Sequence, residues 1–257
     1  MPHTLQQQVE TFMKDGYYVV KQALNRRQVH KFIEIVNVMS EQEGVMGREI
    51  PDIIDRDASF APLLIHPPVF SLLKALMGPK VQMESVNATR VRAGKGLPVG
   101  WHMDSHVYPD PLPPFWYFPV SINCVYYLDD ITPEKGPLVV LPGSHRSGQN
   151  PPEGGLDSLP GDVEVCAEAG DAVVFHGALW HAARPNFSQE ERRGLYYNYL
   201  QSFCKQRANN FAGINANALR ENGPFYIQQL LGKFDGWHEV PADADEEAEV
   251  YLRDNPI

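Results

Sequence analysis

The sequence is poor in cysteine and contains no cysteine pair with metal-binding or redox spacing. Only three cysteines occur in 257 residues, Cys124, Cys166 and Cys204, and none forms a Cys-x-x-Cys motif. A zinc ribbon and a thioredoxin-like redox site are therefore excluded. We expect three free thiols, which is typical of a protein in a reducing compartment.

The sequence also lacks an excess of basic residues and any long apolar run. Lys and Arg number 22 against 32 Asp and Glu, which gives a formal net charge of −10. This balance argues against nucleic acid or a membrane as a partner, because both require a basic surface. No apolar run approaches the ~20 residues of a membrane span, and no basic segment followed by an apolar run opens the chain. A cytoplasmic protein with a small-molecule substrate is expected; the oligomeric state is not predicted.

What the sequence does contain is enough apolar material for a sizeable core. Hydrophobic residues make up 43% and aromatic residues 11% of the chain. A single domain over residues 1–257 is expected, with a helical cover over 1–80, a β-rich core over 81–205 and a helical segment with a tail over 206–257.

Hydrophobic periodicity supports this division. Spacing typical of helices covers residues 4–15, 25–42 and 69–77, with a short strand at 17–20. From residue 81 the pattern alternates, and strands are predicted at 81–91, 121–128, 138–141, 162–166, 172–175 and 194–203. Many short strands separated by glycine and proline turns predict a sandwich or barrel. The acidic run at 242–247 is predicted to be a solvated tail.

The strongest chemical signal is a histidine and a carboxylate two residues apart, His102 and Asp104. On an extended segment both side chains point to the same side, so both can reach one metal ion. A third ligand must come from far along the chain, and either His176 or His181 can supply it. Two histidines and one carboxylate form the facial triad of non-haem Fe(II) oxygenases. The His-x-Asp motif alone is a weak indication of a metal site, so the residues around it must support that interpretation.

The context favours His181, because Arg192 and Arg193 follow it on the next predicted strand. An arginine there can return across a hairpin to the neighbourhood of the metal. Its fork of donors suits a carboxylate, as an oxygenase that uses 2-oxoglutarate requires. On the strand at 121–128 we expect Asn123 to face inward and to contribute to cofactor binding.

Several stretches together resemble one known family. They are Gly100-Trp101-His102-Met103-Asp104, Tyr127 to Leu138, Leu141 to Gly148, and Gly170 through His181 to Arg193, with Gly16 to Val20 and His66-Pro67-Pro68 near the N-terminus. The sequence resembles the phytanoyl-CoA dioxygenase family of Fe(II)/2-oxoglutarate oxygenases over roughly residues 8–235. The ordered combination is more specific than any one motif.

The resemblance implies a fold, a metal site and a reaction. The fold is a double-stranded β-helix, a cupin-like jelly-roll barrel with flanking helices. His102, Asp104 and His181 are the implied iron ligands, and Arg192, eleven residues after His181, is the implied 2-oxoglutarate arginine. The reaction is oxidation, most simply hydroxylation, of a C–H bond with O2, releasing succinate and CO2. Strand parity places Tyr196 and Asn198 on the side of Arg192, and Arg193 on the opposite side.

The sequence departs from the family pattern at three positions. Ala183 stands where a small hydroxylated residue is common, Val125 where animal enzymes have an aromatic residue, and Met103 where glutamine is common. Two alternatives therefore stay open: a zinc or manganese cupin acting as isomerase or hydrolase, and a non-catalytic barrel that binds a small ligand. The proline- and aromatic-rich loop at 107–119 is either a lid over the site or a flap packed on the barrel.

Overall fold

The structure is a computed structural model that describes residues 3–42, 44, 49–94, 98–104, 118–152, 155, 157–206, 211–235 and 237–257. Within them ten strands form two antiparallel sheets. The strands are β1 Tyr17–Val20, β2 Glu49–Pro51, β3 Val81–Val91, β4 Val99–His102, β5 Ser121–Tyr127, β6 Leu138–Val140, β7 Val163–Val165, β8 Ala172–His176, β9 His181–Ala183 and β10 Arg192–Gln201. The large sheet has the order β1-β8-β5-β10-β3-β2 and the small sheet β4-β9-β6-β7. These two sheets form the double-stranded β-helix that the sequence predicts.

Helices precede and follow the strands in the chain. They are α1 Leu5–Asp15, α2 Arg26–Gln42, α3 Ile53–Arg56, α4 Pro67–Met77, α5 Ile214–Asn222, α6 Phe225–Leu230 and α7 Ala244–Asp254, with 3-10 helices at Ala58–Ile65, Pro133–Lys135 and Ser144–Arg146. Among the described residues, no single helix has the length and apolarity to cross a membrane. The bent pair Ala58–Ile65 and Pro67–Met77 meets the length and composition criteria jointly, and most of its side chains are buried in the protein.

Capping residues fix where the first two helices begin and end. Thr4 and Gln7 form a capping box at the start of α1, and Gly16 ends it in the left-handed conformation with φ of 86°. Asn25 and Gln28 exchange side-chain and backbone hydrogen bonds in the same way before α2. The helix predicted over 25–42 is therefore confirmed. It begins at Arg26, one residue after Asn25.

The central strand β5 is buried on both faces and separates two cores. Ile122, Cys124 and Tyr126 pack with the helices, whereas Val125 and Tyr127 pack between the two sheets. The alternation follows from the two-residue period of a strand. Every second residue of β5 therefore faces the interior of the barrel.

The neighbouring strand β10 shows the same alternation. Tyr197 and Tyr199 point toward the helices, where their hydroxyls donate to the carbonyls of Phe60 at 2.9 Å and Leu64 at 3.2 Å. These bonds attach the 3-10 helix to the sheet. Residues of opposite parity on β10, beginning with Arg192, face the barrel interior.

Two sequence expectations differ from the structure. The first 80 residues do more than cover the sheet, because β1 and the unpredicted β2 form its two edges. The acidic run at 242–247 is not simply a solvated tail. It overlaps the first turn of α7, where carboxylates are favoured by the helix dipole. There Glu247 accepts a hydrogen bond from the backbone of Phe225 at 2.9 Å, and Asp245 pairs with Lys74.

Candidate metal centre

Three side chains converge at one end of the barrel, between the two sheets. His102 ends β4 and His181 begins β9, and the two residues are direct cross-strand partners. Asp104 lies two residues beyond His102 and contacts both imidazoles. Its oxygens are 3.9 Å from Nε2 of His102 and 3.8 Å from Nε2 of His181. One donor atom from each residue lies within 4.8 Å of the other two, which is a spacing that one cation can bridge.

Backbone carbonyls fix the tautomer of both histidines. Nδ1 of His102 is 2.8 Å from the carbonyl oxygen of Gly100, and Nδ1 of His181 is 2.9 Å from that of Leu179. A carbonyl only accepts, so each Nδ1 must carry the proton and each Nε2 keeps its lone pair. Metal-bound histidines are held by the same kind of bond. Burial also lowers the pKa of His181, which favours the neutral form that binds metal.

The carboxylate of Asp104 is oriented by two further contacts. Its backbone N–H donates to the carbonyl of Gly177 at 2.9 Å, and the side-chain amide of Asn123 donates to its Oδ2. Asn123 therefore faces inward and lines the cavity, and its amide meets the carboxylate. Its contribution to cofactor binding stays a prediction.

His176 lies outside the cluster but shapes the turn that supports it. Its Nδ1 accepts a hydrogen bond from the backbone N–H of Ala178 at 2.9 Å, and its carbonyl accepts one from Leu179 at 2.8 Å. The same turn supplies the carbonyls of Gly177 and Leu179 that hold Asp104 and His181. His145 packs behind it, with ring centroids 5.0 Å apart, and burial lowers the pKa of His145 to about 4. Of the two candidate third ligands, the structure brings His181 into the cluster.

A cavity of about 490 Å³ opens beside the three side chains. Its lining combines apolar residues, among them Phe175, Val125 and Ala183, with polar and charged ones. The lining residues are Glu49, Thr89, Val91, Val99, His102, Asp104, Asn123, Val125, Tyr127, Leu138, Phe175, His181, Ala182, Ala183, Arg192, Tyr196 and Asn198.

Arg192 lies in this cavity without a carboxylate partner among the described residues. Its side chain is buried, its Nη1 donates to the carbonyl of Gly136, and its Nε has no hydrogen-bond partner in the described part of the chain. Arg193 faces the opposite side and forms salt bridges with Asp129 and Glu191. A buried guanidinium without a counter-charge is energetically costly unless an anion binds it.

Sequence reasoning missed several cavity residues, notably Glu49 and Tyr127. Tyr127 lies four residues after Asn123 on the same face of β5, so alternation contained the signal. Glu49 lies on a three-residue strand that has no periodic pattern. The loop at 107–119, interpreted from the sequence as either a lid or a packed flap, lies outside the described residues except for its last two positions.

Two histidines and a carboxylate that converge in this way are the ligand set of mononuclear non-haem Fe(II) oxygenases, and a buried arginine lines the same cavity. A family comparison agrees. The profile of the family described as Phytanoyl-CoA dioxygenase (PhyH) matches residues 12–194, and the chain belongs to this family.

Individual relatives are more distant. "Dioxygenase af480" of Aspergillus fumigatus is 26% identical over 76% of this chain and 62% of its own length, so the aligned part spans less than two thirds of that relative. "L-proline trans-4-hydroxylase" of Streptomyces griseoviridis is 24% identical over 90% of this chain and 94% of its own length. HygX from Streptomyces hygroscopicus, solved with nickel and 2-oxoglutarate bound, superposes with a TM-score of 0.66 at 18% identity, covering 82% of this chain and 95% of that one.

Proposed function

We propose that this protein is a 2-oxoglutarate-dependent non-haem iron dioxygenase that oxidises a C–H bond of a small organic substrate. The observation that carries the proposal is the pairing of two features in one cavity. The first is a His-Asp-His cluster with both Nε2 atoms free to bind metal, and the second is a buried arginine with no carboxylate partner. Hydroxylation is the simplest form of this oxidation. In the same proposal, residues 1–257 form a single domain.

The donor set fits iron. Imidazole nitrogen and carboxylate oxygen are ligands that Fe(II) accepts, and three protein ligands leave positions open for other molecules. When bound, iron with 2-oxoglutarate and O2 supplies oxidation of a C–H bond with release of succinate and CO2. The guanidinium of Arg192 would hold the distal carboxylate of 2-oxoglutarate, with Tyr127 and Tyr196 beside it.

Other cavity residues position the metal ligands or make the lining apolar. Asn123 keeps Asp104 oriented toward both histidines. Phe175 packs against His181 with ring centroids 4.9 Å apart and the rings tilted by 60°, and with Val125 it makes part of the cavity lining apolar. No side chain is required as a general acid or base in this proposal.

Succinate formation tests the proposal. The purified protein with 2-oxoglutarate under air should form succinate when loaded with Fe(II), slowly alone and faster with a substrate. Loading with Zn(II) or Mn(II) should give none. Iron-independent turnover of a substrate without succinate would instead favour the isomerase or hydrolase alternative.

The His176 turn gives a first testable consequence. His176→Leu leaves the buried N–H of Ala178 without an acceptor, so the turn that holds Asp104 and His181 should loosen. We expect Fe(II) affinity to fall about 10- to 100-fold, the range for outer-shell partners. In His176→Asn, Oδ1 can replace Nδ1 as the acceptor, and most of the affinity should return. Calorimetric titration with Fe(II) measures both; equal affinities in the two variants would contradict this role.

Gly136 gives a second testable consequence. Its φ is +72°, and an added Cβ would lie 2.5 Å from the carbonyl oxygen of Arg184 and 2.9 Å from Nη1 of Arg192. Gly136→Ala should displace the guanidinium and weaken 2-oxoglutarate binding about tenfold or more, as expected for loss of a charge-assisted hydrogen bond. Gly161→Ala is the matched control, because φ there is +87° but the new Cβ meets nothing within 4 Å. Equal 2-oxoglutarate affinities in both variants would count against the role of Gly136.

A further inference from the structure

A carboxylate without a described cationic partner faces the same cavity as the metal cluster. Glu49 lies on the edge strand β2, is exposed at the cavity rim, and forms no salt bridge with a lysine, arginine or histidine among the described residues. Arg192 lines the cavity too, yet the two charges do not pair with each other. Besides the Asp104 carboxylate of the metal cluster, the cavity therefore offers one positive and one negative group at separate positions.

A hydrogen-bond network connects this carboxylate to Asn198. A carboxylate only accepts, so the Nδ2 of Asn87 must be the atom that lies 3.2 Å from Oε1 of Glu49. The same Nδ2 lies 3.4 Å from Oγ of Ser85, and Nδ2 of Asn198 donates to that hydroxyl at 2.8 Å. In this arrangement the carbonyl oxygen of Asn198, which lines the cavity with Glu49, can accept a hydrogen bond from a ligand.

Thr89 adds a hydroxyl beside the carboxylate. It is the direct cross-strand partner of Glu49, and both line the cavity. Its Oγ1 is buried and has no hydrogen-bond partner in the part of the chain that the structure describes. Buried hydroxyls in proteins are normally bonded, so this one is available to a ligand.

We propose that Glu49, Thr89 and Asn198 form an amine subsite, which binds a protonated amino group of the substrate. The inference rests on the proposed function and names the substrate class for it: a small molecule with a protonated amine. An ammonium group carries three donors and no acceptor, which matches a carboxylate surrounded by acceptors. The anionic co-substrate is directed elsewhere, to Arg192. The apolar residues of the cavity lining, such as Val91 and Val125, accommodate the carbon skeleton.

Paired probes test the amine subsite. The protein, loaded anaerobically with Fe(II) and 2-oxoglutarate, is titrated with an amine and with a neutral analogue of similar size. The pairs are putrescine with butanediol, cyclohexylamine with cyclohexanol, and pyrrolidine with cyclopentanol. Binding is followed through the change in the weak visible absorption band of the loaded protein. At least one amine should bind more tightly than its alcohol.

Variants assign that preference to the subsite. Glu49→Gln keeps the size of the side chain and removes its charge, and it should weaken amine binding about 10- to 100-fold, with alcohol binding little changed. Glu239→Gln removes an exposed carboxylate outside the cavity lining and should match the unmodified protein. If no amine binds more tightly than its alcohol, or if Glu49→Gln keeps the preference, the amine subsite is overturned. Failure of the band to form before any probe is added would overturn the proposed function, and the subsite with it.

Discussion

His181→Ala is expected to abolish iron binding and with it 2-oxoglutarate turnover. His181 is the most deeply buried of the three side chains in the cluster, and no other described histidine is within reach to replace it. The loss of Fe(II) affinity should exceed the roughly 100-fold upper range that outer-shell changes produce. Metal analysis of anaerobically reconstituted protein measures this directly: near one iron per chain before the change and near none after it.

The control for this change is His30→Ala. His30 is exposed on α2, where it pairs with Glu34, and it lies outside the cavity. Its iron content and turnover should equal those of the unmodified protein. If His181→Ala retained full iron content while His30→Ala lost it, the metal centre would have to be placed elsewhere.

Arg192→Met should produce the second large effect, loss of 2-oxoglutarate binding with iron binding retained. The guanidinium is buried in the cavity and has no carboxylate partner among the described residues, so methionine breaks no ion pair there and removes only the bond to the carbonyl of Gly136. Bidentate charge-assisted bonds to a carboxylate are the strong kind. We expect the Kd for 2-oxoglutarate to rise about 100-fold or more, with little loss of folding stability. Equilibrium binding and urea denaturation measure the two quantities.

A change at the adjacent Arg193 should give the opposite result, which is a loss of stability without a loss of 2-oxoglutarate affinity. Arg193 pairs with the mostly buried Asp129, whose pKa is raised by burial despite that partner. Arg193→Met leaves this carboxylate unpaired and should lower the free energy of unfolding on the order of 3 kcal/mol. The affinity of the remaining folded protein for 2-oxoglutarate should change little. If the affinity fell equally in both variants, Arg192 would have no special place in the site.

Alternating sequence patterns predicted the two long strands β5 and β10 that line the cavity. Each has one face against helices and one toward the barrel, so parity placed Tyr196 and Asn198 on the side of Arg192. The bulge between Asn198 and Tyr199 shifts the register with β3 but keeps that assignment with β5. Short segments were not predictable. β2 has three residues, and its pairing with β3 is decided by tertiary packing.

The site was predictable where chemistry restricts the residue type. His-x-Asp and a distant histidine come together because β4 and β9 pair at His102 and His181. Spacing alone could not choose between His176 and His181, since both follow the same buried strand; the register of β9 makes the choice. The partners that orient the cluster are backbone carbonyls, which any residue carries, so no sequence pattern marks them.

The central claim is that one cation and one molecule of 2-oxoglutarate share the cavity of His102, Asp104, His181 and Arg192. Anaerobic titration of the Fe(II)-loaded protein with 2-oxoglutarate tests this most directly, because a visible absorption band arises only when iron and 2-oxoglutarate are bound together. The account predicts a saturable band at one equivalent, absent in His102→Ala. An unchanged band in His102→Ala, or no band in the unmodified protein with iron bound, would contradict it.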